Sequence, residues 1–495
     1  MSSPMTNGPA VSLLFGLSLL GLSAPLCAQV TPNFVNWETP HVHPLELTPD
    51  KTRLLAVNIA DARIEVFDVT GAVPLQLDSF PTGVDPVSVR ARTNTEIWVV
   101  NQISDSVSIV DLTSGRTVRT LATDDEPADV VFTATRAFVS CSQTNTVLVY
   151  SLANLSIAPT RLALTGEDPR ALSVSADGAR VYVAIEQSGN GSTVIGGVPT
   201  ANGSFPPDAV SDPAGPYQGV NPPPNGAGNT WVPPKSGGLP TPPPVPLIVK
   251  KNSTDQWVDD RGTNWTNFVS GGQAAKSGRP IGWDLTDNDV AVINTTTLSV
   301  FYAKRLMNLC MSIAVVPGTG DVVVVGTEAI NEVRFEPNVN GRFVRVKFAR
   351  IAFTGGGIPL ITDLNPHLNY SAFQIPQSER DKSIGDPRAV VFSADGARGY
   401  VAGMGSNNVI VINAQGQRAG LSDTISVGAG PTGLALDDAA GRLYVLDKFE
   451  AAISVVDTAS ELEIARHSFH DASPPAIKLG RRHFYGTRNT SGLGQ

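Results

Sequence analysis

Short runs of alternating apolar and polar residues, separated by turn residues, recur along most of the chain. The clearest copy is GDPRAVVFSADGARGYVAGMGSNNVIVIN at residues 385–413. Its pattern predicts a strand, a tight turn at Asp395-Gly396, a second strand that carries Tyr400-Val401 and a third over 409–412. Because successive side chains of a strand point to opposite faces, each copy can bury one face against a neighbouring copy.

Seven copies of this pattern align on an opening proline and a Tyr-Val-like strand. The spacings from Pro86 to Pro127, from Pro127 to Pro169 and from Pro387 to Pro431 are 41, 42 and 44 residues. A period in the low forties, with four short strands per copy, predicts an all-β fold: a seven-bladed β-propeller of four-stranded antiparallel blades. Seven copies favour this closed ring over an open solenoid. We interpret the recurring Asp-Pro-Arg and Asp-Gly as structural punctuation.

Copy four is interrupted between its second and third strands. Its second strand ends near Ile185, and the third resumes at 287–294, so residues 187–280 form an insertion within blade four. Proline and glycine make up 31 of its 94 residues, which predicts irregular structure and mobility over 188–238. Four of the six tryptophans lie from its middle onward, so we expect 241–282 to fold back on the propeller as a lid.

Copy five is degenerate. Strands are predicted over 311–316 and 321–326, and a third over 331–335. A smaller insertion is predicted at 354–383, before copy six begins.

The first residues and the net charge predict where the protein works. Residues 10–24 form an uncharged apolar run, and a small residue follows Cys27, which predicts a signal peptide over 1–28. An uncleaved anchor is the alternative, although the run is short for a membrane span. No other segment has the sequence of a transmembrane segment. We therefore expect a periplasmic, secreted or cell-surface protein, and the net charge of −9 argues against nucleic acid and anionic membranes as main partners.

Two cysteines, Cys141 and Cys310, remain after cleavage at this site. Both lie in apolar strand-like runs of different copies. Two buried free thiols are expected, with a disulfide as the alternative.

The repeat resembles the YVTN-type β-propeller repeat of extracytoplasmic proteins. The tetrad is represented by WVVN at 98–101, LAVN at 55–58 and YVAG at 400–403, and SDSVSIVD at 104–111 resembles the strand that follows it. The resemblance covers about 40–470, apart from the insertion. It implies a fold and a compartment more than an activity, because propellers host many functions.

The tail, residues 471–495, carries a second resemblance. GRRHFYGTRNTSGLGQ at 480–495 resembles the lead-in to the haem motif of di-haem cytochrome c peroxidase-like proteins, which runs into Cys-x-x-Cys-His. The chain contains no Cys-x-x-Cys-His, so the resemblance implies no covalently bound haem here and a c-type haem in a downstream or partner domain. An incomplete eighth repeat beginning at Pro475 is the alternative.

Candidate functional residues are few. His41 and His43 share one face if they lie on the innermost strand of blade one, where they could ligate a metal such as copper; hydrogen bonding at the ring entrance is the alternative. His483 is a possible haem ligand. Three basic residues of the tail could bind haem propionates or an acidic partner: Arg481, Arg482 and Arg488. Two tryptophans of the insertion, Trp257 and Trp265, could stack on a ligand or pack the insertion.

One turn in the insertion carries several oxygen ligands. Residues 259–264, DDRGTN, have these ligands around a glycine, but the spacing is not that of an EF-hand loop. A solvated turn between the two tryptophans is therefore expected.

No nucleophile triad, phosphate loop or zinc site is recognisable in the sequence. A binding and docking scaffold is thus expected, whose partner is a protein, most simply a c-type cytochrome domain of an extracytoplasmic redox system. Two alternatives remain open: an enzyme with its site in the propeller channel, either metal-dependent or lactonase-like, and a cell-surface adhesion protein.

Overall fold

A computed structural model describes residues 38–189, 191–197, 207–219, 246–259, 261–329, 344–353, 358–370 and 375–490. The predicted signal peptide lies outside the described residues. No helix in these ranges is long and apolar enough to cross a membrane.

The described residues form seven four-stranded antiparallel sheets, each with its strands in sequence order, and one three-stranded sheet. This confirms the predicted all-β, seven-bladed propeller. Blades one to three are β1 (Leu45–Leu47), β2 (Arg53–Asn58), β3 (Arg63–Asp68), β4 (Leu75–Pro81); β5 (Pro86–Ala91), β6 (Glu96–Asn101), β7 (Ser106–Asp111), β8 (Arg116–Ala122); and β9 (Pro127–Phe132), β10 (Arg136–Cys141), β11 (Thr146–Ser151), β12 (Thr160–Ala163).

Blade four is split by the insertion, and the remaining blades follow it. Blades four and five are β13 (Glu167–Val174), β14 (Arg180–Gln187), β18 (Val290–Asn294), β19 (Val300–Ala303); and β20 (Leu309–Val315), β21 (Val322–Ala329), β22 (Val344–Ile351), β23 (Leu360–Asp363). Blades six and seven are β24 (Pro387–Phe392), β25 (Arg398–Gly403), β26 (Asn408–Asn413), β27 (Ile425–Ser426); and β28 (Pro431–Asp437), β29 (Arg442–Asp447), β30 (Ala452–Asp457), β31 (Leu462–Ser468).

The ring is closed by contact between the first and last blades. Each inner strand contacts the inner strand of the next blade, and β1 contacts β28. Residues of both blades, among them Leu45, Phe67, Tyr444 and Ile453, form one buried apolar cluster at this junction. Each blade keeps its own four strands, so closure depends on side-chain packing between blades.

Two recurring turns explain why the copies fold alike. The Asp-Gly turn predicted between the first and second strands is confirmed, with Gly178 and Gly396 in the left-handed region at φ 67° and 69°. The residue before the opening proline has a left-handed backbone in four blades: Asp85, Glu126, Asp168 and Asp386.

The insertion of blade four contains its own small fold. Strand β14 pairs with β18, as predicted for the resumption of the blade. Between them, β15 (Ser192–Ile195), β16 (Leu247–Lys251) and β17 (Trp257–Val258) form the three-stranded sheet, followed by helix α1 (Thr266–Val269) and a 3-10 turn (Ala274–Ser277). Ser192–Ile195, within the segment expected to be mobile, is one of these strands.

Blade five and the tail differ from prediction. The third strand of blade five is β22, because the eight residues from Val344 pair in register with β21, and the predicted strand at 331–335 lies outside the described residues. The insertion predicted at 354–383 contains β23, the fourth strand of the blade, and helix α2 (Gln377–Arg380). The tail forms helices α3 (Pro475–Phe484) and α4 (Thr487–Thr490), so the alternative of an eighth strand repeat is wrong.

Candidate functional site

The central channel contains a cavity of about 400 Å³. Its walls are the inner strands of blades one, four, five, six and seven, together with the side chain of Arg90 from blade two. Inner strands leave one edge of backbone N–H and C=O groups unpaired, so the wall is rich in polar backbone atoms. The cavity therefore suits a small polar ligand better than an apolar one.

Three polar side chains line one wall of this cavity. His43 Nε2 lies 2.6 Å from Glu46 Oε2. Arg90 forms two hydrogen bonds to Asp129, at 2.8 and 3.1 Å, and donates to the Leu172 carbonyl at 3.0 Å. Burial opposes the charged form of Arg90, but the Asp129 carboxylate outweighs it and raises the pKa of Arg90. Arg90 is thus a fixed cation that joins blades two, three and four.

Two arginines lie near one end of the channel. This end, which we call the insertion end, is where the inner strands begin and where β14 ends, because β13 and β14 are antiparallel. Arg170 on β13 and Arg388 on β24 precede the cavity-lining residues Leu172 and Ala389 on the same strands. Both arginines therefore lie just beyond one end of the cavity, which we call its mouth, and neither lines the cavity itself.

Glu186, near the end of β14, lies between these two arginines. Arg170 Nε is 2.9 Å from Glu186 Oε2 and 2.8 Å from Asp168 Oδ1. Arg388 Nη1 is 3.8 Å from Glu186 Oε1, and Arg388 Nε is 2.7 Å from Asp386 Oδ1. Blade five separates blades four and six along the chain, so Glu186 and Arg388 interact across the mouth. The Nη1 atom of Arg170 is buried and has no hydrogen-bond partner among the described residues.

Burial shifts the pKa values of Glu186 and Lys448 towards their neutral forms. Burial raises the pKa of Glu186, although both arginines oppose the shift. Burial lowers the pKa of Lys448 to about 8, and Arg481 and Arg388 lower it further, against Glu38 and Asp85. Lys448 Nζ donates to the Thr39 carbonyl at 2.7 Å. Perturbed ionisable groups at a cleft are typical of functional sites.

His41 also belongs to this end of the channel. Its Nδ1 atom lies 2.7 Å from Thr432 Oγ1 of blade seven. Burial lowers the pKa of His41 well below its ordinary value, with Lys448, Arg481 and Arg388 adding to the effect. We call Arg170, Glu186, Arg388, Lys448 and His41 the mouth cluster.

The two predicted channel histidines are not brought together as metal ligands. His41 and His43 both precede β1, and each contacts a different partner, Thr432 and Glu46. His43 lines the channel cavity, as predicted for this pair. Within the described ranges, no group of three or more His, Cys, Asp or Glu side chains could hold a metal ion.

The tail residues predicted to meet a haem have partners in the propeller or are exposed. Arg481 is buried, with Nε 2.9 Å from Glu38 Oε1 and Nη1 3.1 Å from Ser473 Oγ, and so does not fit haem propionates. Arg482 is exposed and donates to Glu450 at 2.8 Å, while Arg488 donates to the Asp381 carbonyl at 3.2 Å. His483 is exposed on α3.

The insertion tryptophans pack its core. Trp257 and Trp265 are fully buried in one apolar cluster with Ile195, Leu247 and Val249. They therefore pack the insertion, which was the alternative to stacking on a ligand. Cys141 and Cys310 are buried free thiols, as expected. Burial raises the pKa of Cys141 to about 12.

The expectation of a solvated turn at 259–264 is wrong for Asp259. This side chain is buried and accepts hydrogen bonds from the backbone N–H groups of Arg261 and Thr263, from Trp265 Nε1 and from Tyr217. It holds the turn together from inside, which explains why an acidic residue stands between two buried tryptophans.

Sequence reasoning missed Arg170, Glu186, Arg388 and Lys448. One signal for the arginines was present: arginine follows the opening proline only in copies four and six, whereas Val87, Ala128 and Thr432 stand there in copies two, three and seven. In both copies the arginine lies close to Glu186, a contact that the interpretation of Asp-Pro-Arg as structural punctuation does not include.

The comparisons with known proteins agree with the fold. The family model described as lactonase, seven-bladed β-propeller, matches residues 27–196, about a third of the chain. These residues include His41, His43, Arg90, Arg170 and Glu186. A search of curated proteins finds no match.

Solved structures of low sequence identity are similar to this chain. The hydrazine synthase of Kuenenia stuttgartiensis is 13% identical with a TM-score of 0.55, and the alignment covers 86% of this chain and 98% of that chain. Apo AztD from Citrobacter koseri is 11% identical with a TM-score of 0.43, covering 84% and 95%. The first of these likenesses concerns the fold and not the chemistry.

Proposed function

We propose that the chain is a propeller-channel hydrolase that opens a small lactone at the mouth cluster. The observation that carries the proposal is the Glu186 carboxylate held between two guanidinium groups at the mouth of a polar cavity. The partial match to the lactonase propeller model, which includes Arg170 and Glu186, supports the same class of reaction.

Each group has a part in this chemistry. Glu186, whose pKa burial raises, would accept a proton from a water molecule as its oxygen attacks the lactone carbonyl. The Nη1 group of Arg170, which is buried and has no hydrogen-bond partner in the described part of the chain, would donate to the oxyanion that forms. The ring C–O bond then breaks, and the leaving oxygen takes the proton from Glu186, which yields a hydroxy acid. Arg388 would hold the product carboxylate.

The test measures the proton released when a lactone ring opens. The purified chain would be assayed with a pH indicator against five- and six-membered lactones in weak buffer. We expect Glu186→Gln to reduce kcat about 100-fold or more, because an amide cannot take the proton. Arg482→Gln, which removes an exposed charge on α3, is the matched control and should keep the full rate.

Two results would refute the hydrolase. One is that no lactone of the panel is opened faster than in buffer. The other is that Glu186→Gln and Arg170→Gln both retain the wild-type rate while the chain hydrolyses a lactone.

We also propose that the hydrolase is exported, because residues 1–28 have the pattern of a signal peptide. Fractionation of the native host, followed by N-terminal sequencing of the mature chain, tests this: a first residue at Gln29 in the periplasm or medium is expected. Recovery of the full-length chain from the cytoplasm would contradict it.

A docking role for the tail is a second proposal. On α3, Leu479 and Phe484 are 62% and 83% exposed beside the exposed Arg482. Exposed apolar side chains with basic neighbours suit an acidic protein partner, and the resemblance of the tail favours a c-type cytochrome domain. Binding of a purified acidic c-type cytochrome that is lost in Phe484→Ser would support it; no binding at low salt would refute it.

A further inference from the structure

The tail crosses blades seven and six at the insertion end of the channel. Residues 485–488, which we call the strap, follow α3 directly. The ring of Tyr485 stacks on Phe449 of blade seven at 5.2 Å, and the backbone N–H of Thr487 donates to the Gly405 carbonyl of blade six at 2.9 Å. The strap is therefore held against two neighbouring blades at once.

Two glycines of blade six make room for the strap. Gly385 and Gly405 have φ values that any residue adopts, so it is the close approach of the strap that requires glycine. A Cβ atom on Gly385 would lie 2.9 Å from both Cβ and Cγ2 of Thr487. A Cβ atom on Gly405 would lie 2.8 Å from the Tyr485 carbonyl oxygen. Thr487 thus occupies a space that a side chain at either position would fill.

The contacts of the strap lie beside the mouth cluster. Phe449, on which the strap stacks, directly follows Lys448. Gly385 directly precedes Asp386, whose carboxylate oxygen is 2.7 Å from Nε of Arg388. The strap therefore lies over the part of the mouth that blades six and seven form.

The attachment of the strap is weak compared with that of a blade. Of the residues of α3, all of which the structure describes, only Arg481 is buried, and the strap itself is half-buried. The apolar contact of the strap comes from Tyr485, which packs on three buried residues: Met404, Ala429 and Phe449. Segments with few buried apolar contacts open locally at a low free energy while the rest of the fold stays intact. The strap can therefore lift while Arg481 remains anchored.

We propose that the strap is a gate, which closes the mouth and must lift off blade six before a ligand reaches the mouth cluster from the insertion end. Arg481, held by Glu38, would be the fixed anchor, and the end of α3 would be the hinge. Lifting would take Thr487 out of the space beside Gly385. The proposal rests on the mouth cluster as the ligand site of the proposed function, but its test does not require lactone hydrolysis.

The experiment measures access to the space below the strap in the intact chain, with two cysteine probes used one at a time. Ala429→Cys places a thiol under Tyr485, and Thr432→Cys places one inside the mouth, where Thr432 Oγ1 is 2.7 Å from Nδ1 of His41. Both native cysteines are buried and burial raises their pKa, so they should not react. Mass spectrometry measures the rate of labelling by iodoacetamide.

Gly385→Ala should displace the strap and raise the labelling rate of both probes about tenfold or more, because the added Cβ atom takes the space of Thr487. Adding Thr487→Gly removes the side chain that this atom meets and should make labelling slow again. Gly480→Ala is the matched control: it is the same change on α3, at a position where a Cβ atom meets nothing within 4 Å. It should leave both rates unchanged.

Circular dichroism and thermal unfolding check that each variant folds. If Gly385→Ala does not fold, Gly405→Ala makes the same test from the other side of Thr487. Faster labelling of Ala429→Cys but not of Thr432→Cys would mean that the strap moves without controlling the mouth, which would overturn the proposal.

Two further results would overturn the gate: equal labelling in Gly385→Ala and Gly480→Ala, and no recovery when Thr487→Gly is added. A chain that opens no lactone but shows the expected labelling would refute the hydrolase and leave the gate in place.

Discussion

The Nη1 atom of Arg388 lies 3.8 Å from Oε1 of Glu186, and this contact joins blade six to blade four across the channel mouth. The other carboxylate oxygen of Glu186 is 2.9 Å from Arg170 Nε. One carboxylate thus separates two buried guanidinium groups that repel each other. The mouth depends on this charge for its shape as well as for its proposed chemistry.

We predict that Glu186→Gln lowers the free energy of unfolding by about 3 kcal/mol, because it leaves two buried cations without the charge between them. Chemical denaturation measures the effect. In the double variant Glu186→Gln/Arg388→Gln the loss should be smaller than the sum of the single losses, since the repulsion is gone. Strict additivity of the two changes would show that the contact carries no energy.

A buried carboxyl group in blade seven predicts a pH dependence of stability. Asp447 is fully buried at the end of β29, 2.6 Å from Ser454 Oγ, and burial raises its pKa to about 8. The folded state therefore holds a proton that the unfolded state releases above about pH 4. Stability should fall as pH rises from about 4 to about 8, by at most about 1.4 kcal/mol per pH unit from this group.

Asp447→Asn should remove this part of the pH dependence and raise the melting temperature at pH 8. Asparagine already fills the equivalent last position of the second strand in blades one and two, as Asn58 and Asn101. Thermal unfolding between pH 5 and pH 8.5 measures the change. Asp125→Asn, at an exposed position, should keep the wild-type profile. A profile of Asp447→Asn that is as steep as that of the wild type would contradict the prediction.

The insertion should unfold separately when its central carboxylate is removed. Asp259→Ala leaves the indole N–H of Trp265, the hydroxyl of Tyr217 and two backbone N–H groups without their acceptor in a buried place. Each unsatisfied buried group costs about 1 to 3 kcal/mol. We expect faster proteolysis between β14 and β18, a red shift of tryptophan emission and little change in far-ultraviolet circular dichroism from the blades.

Asp255→Ala is the matched control for this experiment, because Asp255 is an exposed carboxylate four residues earlier. It should leave proteolysis of the insertion unchanged. Equal protection of the wild type and Asp259→Ala would mean that the buried apolar cluster alone holds the insertion together.

The extent to which the sequence predicts this molecule differs between its parts. The blades were predictable because their strands are short apolar runs that recur at a regular spacing, and because Asp-Gly turns have one inexpensive geometry. The expectation of one buried face was too narrow, since every residue of 399–402 and 409–412 is buried. The third strand of blade five was predicted at 331–335 but begins at Val344. Where no turn fixes the register, several short apolar runs can compete for the same place in the sheet.

The candidate site was much less predictable. Arg170 and Arg388 are 218 residues apart in the sequence, and no local pattern shows that Glu186 reaches both. Burial raises the pKa of Glu186 and opposes the charged forms of the two arginines, whose pKa values the neighbouring carboxylates raise. Both effects depend on ring closure. Histidines were easier to notice as chemistry, yet His41 serves the blade one to blade seven junction through Thr432.

The last prediction concerns how the tail secures this junction. Arg481 on α3 pairs with Glu38 at the other end of the described chain, and the ring of Tyr485 stacks on Phe449 at 5.2 Å. Arg481→Ala should lower the free energy of unfolding by about 2 kcal/mol, because it removes a buried charged hydrogen-bond donor. Arg482→Ala, which removes the exposed neighbour paired with Glu450, should change it by less than about 1 kcal/mol. Denaturant unfolding of both variants compares two arginines that lie on the same helix and carry the same charge. If the two losses are equal, Arg481 does not hold the tail across the junction, and the Phe449–Tyr485 stacking must carry the attachment.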